Sequence, residues 1–154
     1  YMRGAAERGL AAGGLGIADE LLCGFSRTCF NFWTFMDSGV VPDMVITAKG
    51  IGNGFPLGAV IAKREVAEAF SDKFHFHTYG ANPMAAAAGR AVLQIIQNEG
   101  LQEHSRVMGE KLLAELKKLQ DKYEIIGVPS GYNNARTHAV TNIDGFICRQ
   151  PCDR

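Results

Sequence analysis

Apolar residues recur along this chain in two ways: short unbroken runs, and positions spaced by three or four. The runs at 15–18 (Leu, Gly, Ile, Ala) and 44–48 (Met, Val, Ile, Thr, Ala) predict strands buried on both faces. The run at 59–62 predicts a third strand, and Ile125 with Ile126 opens another. Residues 2–12 read as the end of a helix stopped by Gly13 and Gly14, and residues 65–70 as a short helix. Asn82 followed by Pro83 is an N-cap with proline at the first helical position, so an alanine-rich helix runs from there to about Asn98 and stops at Gly100. A second helix runs from about Leu101 to Tyr123. Its Met108, Leu112, Leu116, Leu119 and Tyr123 mark one face expected to be buried. Short apolar strands separated by loops and helices indicate an α/β sandwich with parallel strands.

The stretch 19–37 reads mostly as loop, with an aromatic cluster at Phe30, Phe32, Trp33 and Phe35. From Val128 the pattern changes. Pro129-Ser130-Gly131 is turn-like and no period follows, so the chain divides into 1–127 and a divergent, irregular tail at 128–154. The first residues already lie in a helix-like pattern, which places the expected N-terminus upstream, along with any targeting segment.

Composition narrows the chemistry. Of 154 residues, 47% are hydrophobic and 21% charged, enough apolar material to bury a core. Lysine plus arginine equals aspartate plus glutamate at 16 each, which gives no argument for nucleic acid or an anionic membrane. No apolar stretch approaches the roughly 18 residues of a membrane span. Cys23, Cys29, Cys148 and Cys152 fit neither a C-x-x-C pair nor a zinc pattern, and read as reduced thiols. His75, His77, His104 and His138 do not sit at metal spacing with acids, so no metal is expected.

Lys49 is the residue that points to chemistry. It ends the 44–48 run and opens the glycine-rich loop Gly50-Ile51-Gly52-Asn53-Gly54-Phe55-Pro56-Leu57-Gly58, where glycines would let a ligand approach the backbone. A dinucleotide reading fails because Phe55 stands where the third glycine is needed. A P-loop reading fails because Gly-Lys-Ser/Thr is absent. A Schiff-base lysine fits better: a strand end facing a dry pocket lowers a reference pKa of about 10.4 and frees the amine. The earlier run ends in Asp19, a carboxylate able to hold the proton of a pyridinium nitrogen. Two strands carrying an acid and an amine to one sheet edge suggest a cofactor site. Taken singly, Lys49 also reads as a snorkelling surface lysine and Asp19 as a strand-end cap. The third piece is residues 75–83, where the Thr78 hydroxyl and nearby glycine suit a phosphate or equally a plain turn before a helix.

Together these pieces resemble the class III (ornithine/4-aminobutyrate type) aminotransferases, pyridoxal-phosphate (PLP) enzymes of fold type I. Ile17-Ala18-Asp19-Glu20 followed by Gly24-Phe25-Ser26-Arg27-Thr28 is similar to the aspartate motif. Pro42-Asp43-Met44-Val45 leading to Ala48-Lys49-Gly50 is similar to the lysine motif, and Thr78-Tyr79-Gly80-Ala81-Asn82-Pro83 to the phosphate-loop motif. The run from Ala48 to Pro56, with 75–83, is most similar to the alanine–glyoxylate aminotransferase 2 branch. The resemblance covers about residues 5 to 127.

It implies the large domain of that fold, a mostly parallel sheet flanked by helices, truncated here at both ends. It implies ping-pong transfer of an amino group from an amino acid such as alanine to a keto acid such as glyoxylate or pyruvate. Lys49 would hold PLP as a Schiff base and then shuttle the Cα proton, Asp19 would pair with the ring nitrogen, and Leu21 would pack against the ring. Thr78 would reach the phosphate of the neighbouring subunit's cofactor, because active sites in the family lie at a homodimer interface. The branch favours a mitochondrial location.

The departures are Leu22, where the family usually has a glutamine that bonds the ring hydroxyl, and Ser26, where it usually has glycine. The family's phosphate cup, ring-stacking aromatic and substrate-binding arginine have no counterpart here. The chain therefore reads as an incomplete copy. The alternative reading is a truncated paralogue or dimerisation module without turnover.

Overall fold

The computed structural model describes residues 2–127. The tail expected at 128–154, with Cys148, Cys152 and His138, lies outside the described residues. Helix α1 (Met2–Ala11) ends before Gly13 and Gly14, as its sequence requires, and touches the body through Arg3, whose Nε donates to the Ser38 carbonyl at 3.0 Å.

Three strands form one sheet in the order β1 (Ile17–Asp19), β2 (Met44–Thr47), β3 (Ala59–Ala62). β1 and β2 run parallel, Ile17 opposite Met44 and Asp19 opposite Ile46. β3 returns antiparallel, Met44 opposite Ala62 and Thr47 opposite Ala59. The expectation of parallel strands therefore holds for one pair. The link at 48–58 is a loop, and a parallel return needs a crossover of about a dozen residues or more, usually helical.

The first strand starts later than its apolar run because Leu15 stands outside the ladder. The ladder continues instead to Glu20, whose N–H donates to the Ile46 carbonyl at 3.0 Å. Burial on both faces is not observed. Ala18, Val45 and Thr47 are buried, whereas Ile17, Val60 and Ile61 are exposed. β1 and β3 are both edges here, and a three-stranded sheet covered on one side buries alternate residues only.

Asp43 ties the strands together at one end. Its Oδ2 accepts from the Gly16 amide at 2.7 Å, its Oδ1 from Lys63 Nζ at 2.8 Å, and its carbonyl from the Lys63 amide at 2.9 Å. The Lys63 ammonium first, and the Gly16 amide second, hold the Asp43 carboxyl below its ordinary range. The same pairing raises Lys63.

The crossover 20–43 contains a 3-10 helix, Thr34–Ser38, and an aromatic cluster that differs from the expected one. Phe25, Phe32 and Trp33 meet edge to face at 4.8–5.4 Å, while Phe30 is exposed.

Helix α2 (Arg64–Ser71) leads to α3 (Pro83–Asn98). Asn82 caps α3 as expected, its Oδ1 accepting from Met84 N at 2.9 Å and Ala85 N at 3.4 Å. Helix α4 (Leu101–Lys122) follows the left-handed Gly100. Its expected buried face is not buried: Met108, Leu112, Leu119 and Tyr123 are each 40–45% exposed, and Gly109 marks the covered side. At the expected fourth strand only Ile126 forms an isolated bridge, and Ile125 is exposed.

Candidate active site

Parallel pairing decides where the candidate residues go. The carboxyl ends of β1 and β2 lie on one edge, so Asp19 and the segment after Thr47 emerge together, the edge at which α/β sheets bind ligands. Ala48 is still extended. Lys49 then turns left-handed at φ 51°, a conformation that costs a non-glycine residue about 1 kcal/mol or more and persists only where the surroundings impose it. The imposing contacts are local. The Lys49 carbonyl accepts from Gly52 N at 3.2 Å and Asn53 N at 3.1 Å, and the Ala48 carbonyl from Ile51 N at 3.3 Å, forming the 3-10 turn Lys49–Ile51.

Two glycines make this turn possible. A Cβ on Gly50 would stand 3.3 Å from Phe25 Cδ2, and one on Gly52 would collide with the Phe55 carbonyl oxygen. Gly50 and Gly52 thus serve internal packing, a use that the loop's composition did not show. Behind the turn, Gly89 of α3 lies against Leu57 and Ile51.

Lys49 itself is exposed, so the dry pocket expected around it is not formed by residues 2–127. Asp19 is also exposed, but its carboxylate is oriented: Oδ1 accepts from Leu21 N at 3.1 Å, leaving Oδ2 open to a further donor. Leu21 is half-buried beside it, and Leu22 is 59% exposed. Leu22 thus presents an apolar side chain where a donor was expected. Thr78 differs from the others in kind. It lies in a run, residues 71–79, that is exposed at every position.

Glu20 was missed. It is 2% exposed, its Oε1 accepts from Phe35 N at 2.8 Å, and its Oε2 is buried without a partner in the structure. Strand alternation carries the signal. Glu20 follows exposed Asp19 and shares the inward face with Ala18, and it anchors the Thr34–Ser38 helix to the strand that positions Asp19. Phe25 was also missed as the ring beneath Gly50. A crevice of ≈ 260 Å³ opens nearby, lined by Phe25, Arg27, Gly50, Asn53, Ile96 and His104; neither Lys49 nor Asp19 lines it.

The donor set fits a PLP site in part: an amine on an imposed turn, an oriented carboxylate, and a half-buried leucine beside it, all on one strand edge. Among the described residues no group of three or more histidine, cysteine or acidic side chains could hold a metal ion, and no helix is long and apolar enough to cross a membrane.

A family model described as Aminotransferase class-III matches residues 1–130. Human alanine–glyoxylate aminotransferase 2, mitochondrial, is 47% identical over 128 residues, 82% of this chain and 25% of that protein. Ethanolamine-phosphate phospho-lyase homolog 1 of Caenorhabditis elegans is 45% identical over 118 residues, 75% of this chain and 25% of that protein. Among solved structures, taurine:2-oxoglutarate aminotransferase from Bifidobacterium kashiwanohense, in complex with PLP and glutamate, aligns with a TM-score of 0.77 at 29% identity, over 84% of this chain and 30% of that one. The chain spans about a quarter of the length of the curated relatives it matches.

Proposed function

The chain belongs to the class III aminotransferases, and we propose that it carries the lysine half of a PLP-dependent transaminase site. The observation that carries this reading is the shared carboxyl edge of β1 and β2, to which Asp19 and Lys49 are both delivered. The reaction is transfer of an amino group from an amino acid such as alanine to a keto acid such as glyoxylate. PLP, when bound, supplies the electron sink that lets the Cα–H bond of an amino acid break.

This chain's residues have distinct tasks. Lys49 Nζ would hold the cofactor, and its amine would take the Cα proton and return it. Asp19 Oδ2 would accept the hydrogen bond of the ring N–H, while Leu21 N keeps the carboxylate turned. Leu21 offers apolar surface to the ring. Leu22 cannot donate a hydrogen bond to the ring hydroxyl. Thr78 Oγ1 would reach the phosphate in a second copy, and the working form would then be a homodimer. The name of the human relative supports a mitochondrial location.

A second reading, a truncated paralogue or dimerisation module without turnover, is favoured by a specific observation. Lys49 is exposed, and an exposed amine lacks the desolvation that activates nucleophilic lysines.

The test is incubation with PLP, borohydride trapping and peptide mapping. Labelling concentrated on Lys49 supports the cofactor site, and labelling spread evenly over all lysines refutes it. Alanine and ethanolamine phosphate are then offered to the unreduced complex. Consumption of the bound cofactor's absorbance by alanine supports transamination. No change with alanine leaves the non-catalytic reading, and a change with ethanolamine phosphate alone moves the assignment to lyase chemistry.

A further inference from the structure

The geometry points to Gln102 as a positioning residue for Lys49, an inference that rests on the cofactor reading above. Gln102 is the second residue of α4, more than seventy positions from the loop it holds. Its Nε2 donates to the Cys29 carbonyl at 2.9 Å and the Phe30 carbonyl at 3.1 Å, and its Oε1 accepts from Ser26 Oγ at 3.2 Å. The amide orientation follows from chemistry, because two carbonyls can only accept and must face the NH2 group. One turn along α4, Ser105 Oγ donates to the Arg27 carbonyl at 3.4 Å.

The loop so held is strained. Phe25, Ser26 and Cys29 stand at φ 61°, 63° and 65°, all non-glycine residues in the left-handed region. Such residues persist when the surroundings over-determine them. Carboxamides are the side chains that can donate to two carbonyls and accept from a hydroxyl at once; glutamate lacks the donors and lysine lacks the acceptor.

The consequence reaches the active-site edge through one contact. Phe25, set by this loop and 8% exposed, lies against Gly50, where even a Cβ would stand only 3.3 Å from the ring. Gly50 follows Lys49 directly, and the Lys49 turn is itself left-handed. Gln102 therefore fixes the loop, the loop fixes the Phe25 ring, and the ring supports the backbone turn that aims Lys49.

Amide hydrogen exchange on the full 154-residue chain tests this without any cofactor. In Gln102→Ala and Gln102→Glu, exchange at Gly52 and Asn53, whose amides bond the Lys49 carbonyl, rises roughly fivefold, the weight of about one net hydrogen bond. The Asp43 and Lys63 amides at the other end of the sheet keep their rates. Ser26→Ala, which removes one of the three bonds, gives a smaller rise at the same two amides. Unchanged exchange at Gly52 and Asn53 overturns the proposal, as does a uniform rise at all amides, which would make Gln102 a general stabiliser. A second arm measures PLP trapping at Lys49 relative to Lys111 and Lys117 in the same sample. In Gln102→Ala that ratio falls by a similar factor, and an unchanged ratio overturns the link to Lys49. A wild-type chain with no preference for Lys49 defeats the cofactor reading, and the exchange data still decide whether Gln102 holds the turn.

Discussion

The Lys49 turn and the Thr78 loop are both short, glycine-containing links that precede a regular element, yet they fold on different terms. The Lys49 turn is laced by amides from Ile51, Gly52, Asn53 and Phe55 and wedged between Phe25 and α3. In the Thr78 loop, Phe74 is 96% exposed and Tyr79 84%. Its contacts include two ring pairs, Phe70 with His75 at 5.4 Å and His75 with His77 at 5.1 Å, and two backbone bonds, Lys73 N to the Phe70 carbonyl at 3.0 Å and Gly80 N to the His77 carbonyl at 3.3 Å. One loop takes its shape from the chain's own backbone. The other displays large aromatics of the kind that mark contact surfaces. One half of the candidate site is therefore held by the chain's own contacts, and the other half stands exposed.

The sharpest way to break this comparison is a pair of matched substitutions. In Gly52→Ala the new methyl meets the Phe55 carbonyl, a backbone atom that cannot swing away, and stability should fall by about 2–3 kcal/mol in urea unfolding. In Gly80→Ala the atoms nearest the methyl belong to the His77 ring, which is exposed and can turn away, and the loss should stay within about 0.5 kcal/mol. Equal losses would show that both loops are equally built.

The frame beneath the Lys49 turn should be acid-sensitive. Asp43 is depressed by its bonds to Lys63 and Gly16, so its contribution is complete above the ordinary carboxylate value of 3.8 and is lost as pH falls through the lower folded value. Lys63 is raised, so its share is complete below 10.5 and is lost as pH rises through the higher folded value. Melting temperatures of Asp43→Asn should lie below wild type near neutral pH, and the gap should close below pH 3.8. A constant gap at all pH values would remove the ion pair from the account.

The left-handed turn gives a smaller effect. Lys49→Gly should be more stable than Lys49→Ala by roughly 1 kcal/mol, because glycine accepts φ 51° without strain, while both lose PLP trapping at this position. The smallest effect is expected at Thr78→Ala, within about 0.5 kcal/mol in the isolated chain, since the side chain is exposed. A larger loss there would mean that the loop is held by the chain after all.

Asn82-Pro83 fixed the start of α3 from sequence because a cap is a local transaction between one side chain and the next two amides. Lys49 and Asp19 stood out as candidates for a related reason: each sits where an apolar run stops. Glu20 was legible only in part: alternation from Ala18 puts it on the inward face, but its bond to Phe35, fifteen positions away, is not written in the local pattern. The apolar stripe Met108, Leu112, Leu119, Tyr123 misled because a period states which residues share a face and not whether anything in the chain covers it.

By itself, then, the sequence determined α1 to α4, the Asn82 cap and the approximate places of β1, β2 and β3, and it offered Lys49 and Asp19 as candidates. All of these follow from local propensity and short-range hydrogen bonding. Only the tertiary structure decided that β3 returns antiparallel, that Gly50 and Gly52 serve packing, that Lys49 stands exposed on a left-handed turn, and that Gln102 holds the loop beneath it. Those outcomes depend on which distant atoms meet, and the spacing of residues along a chain does not specify its long-range contacts.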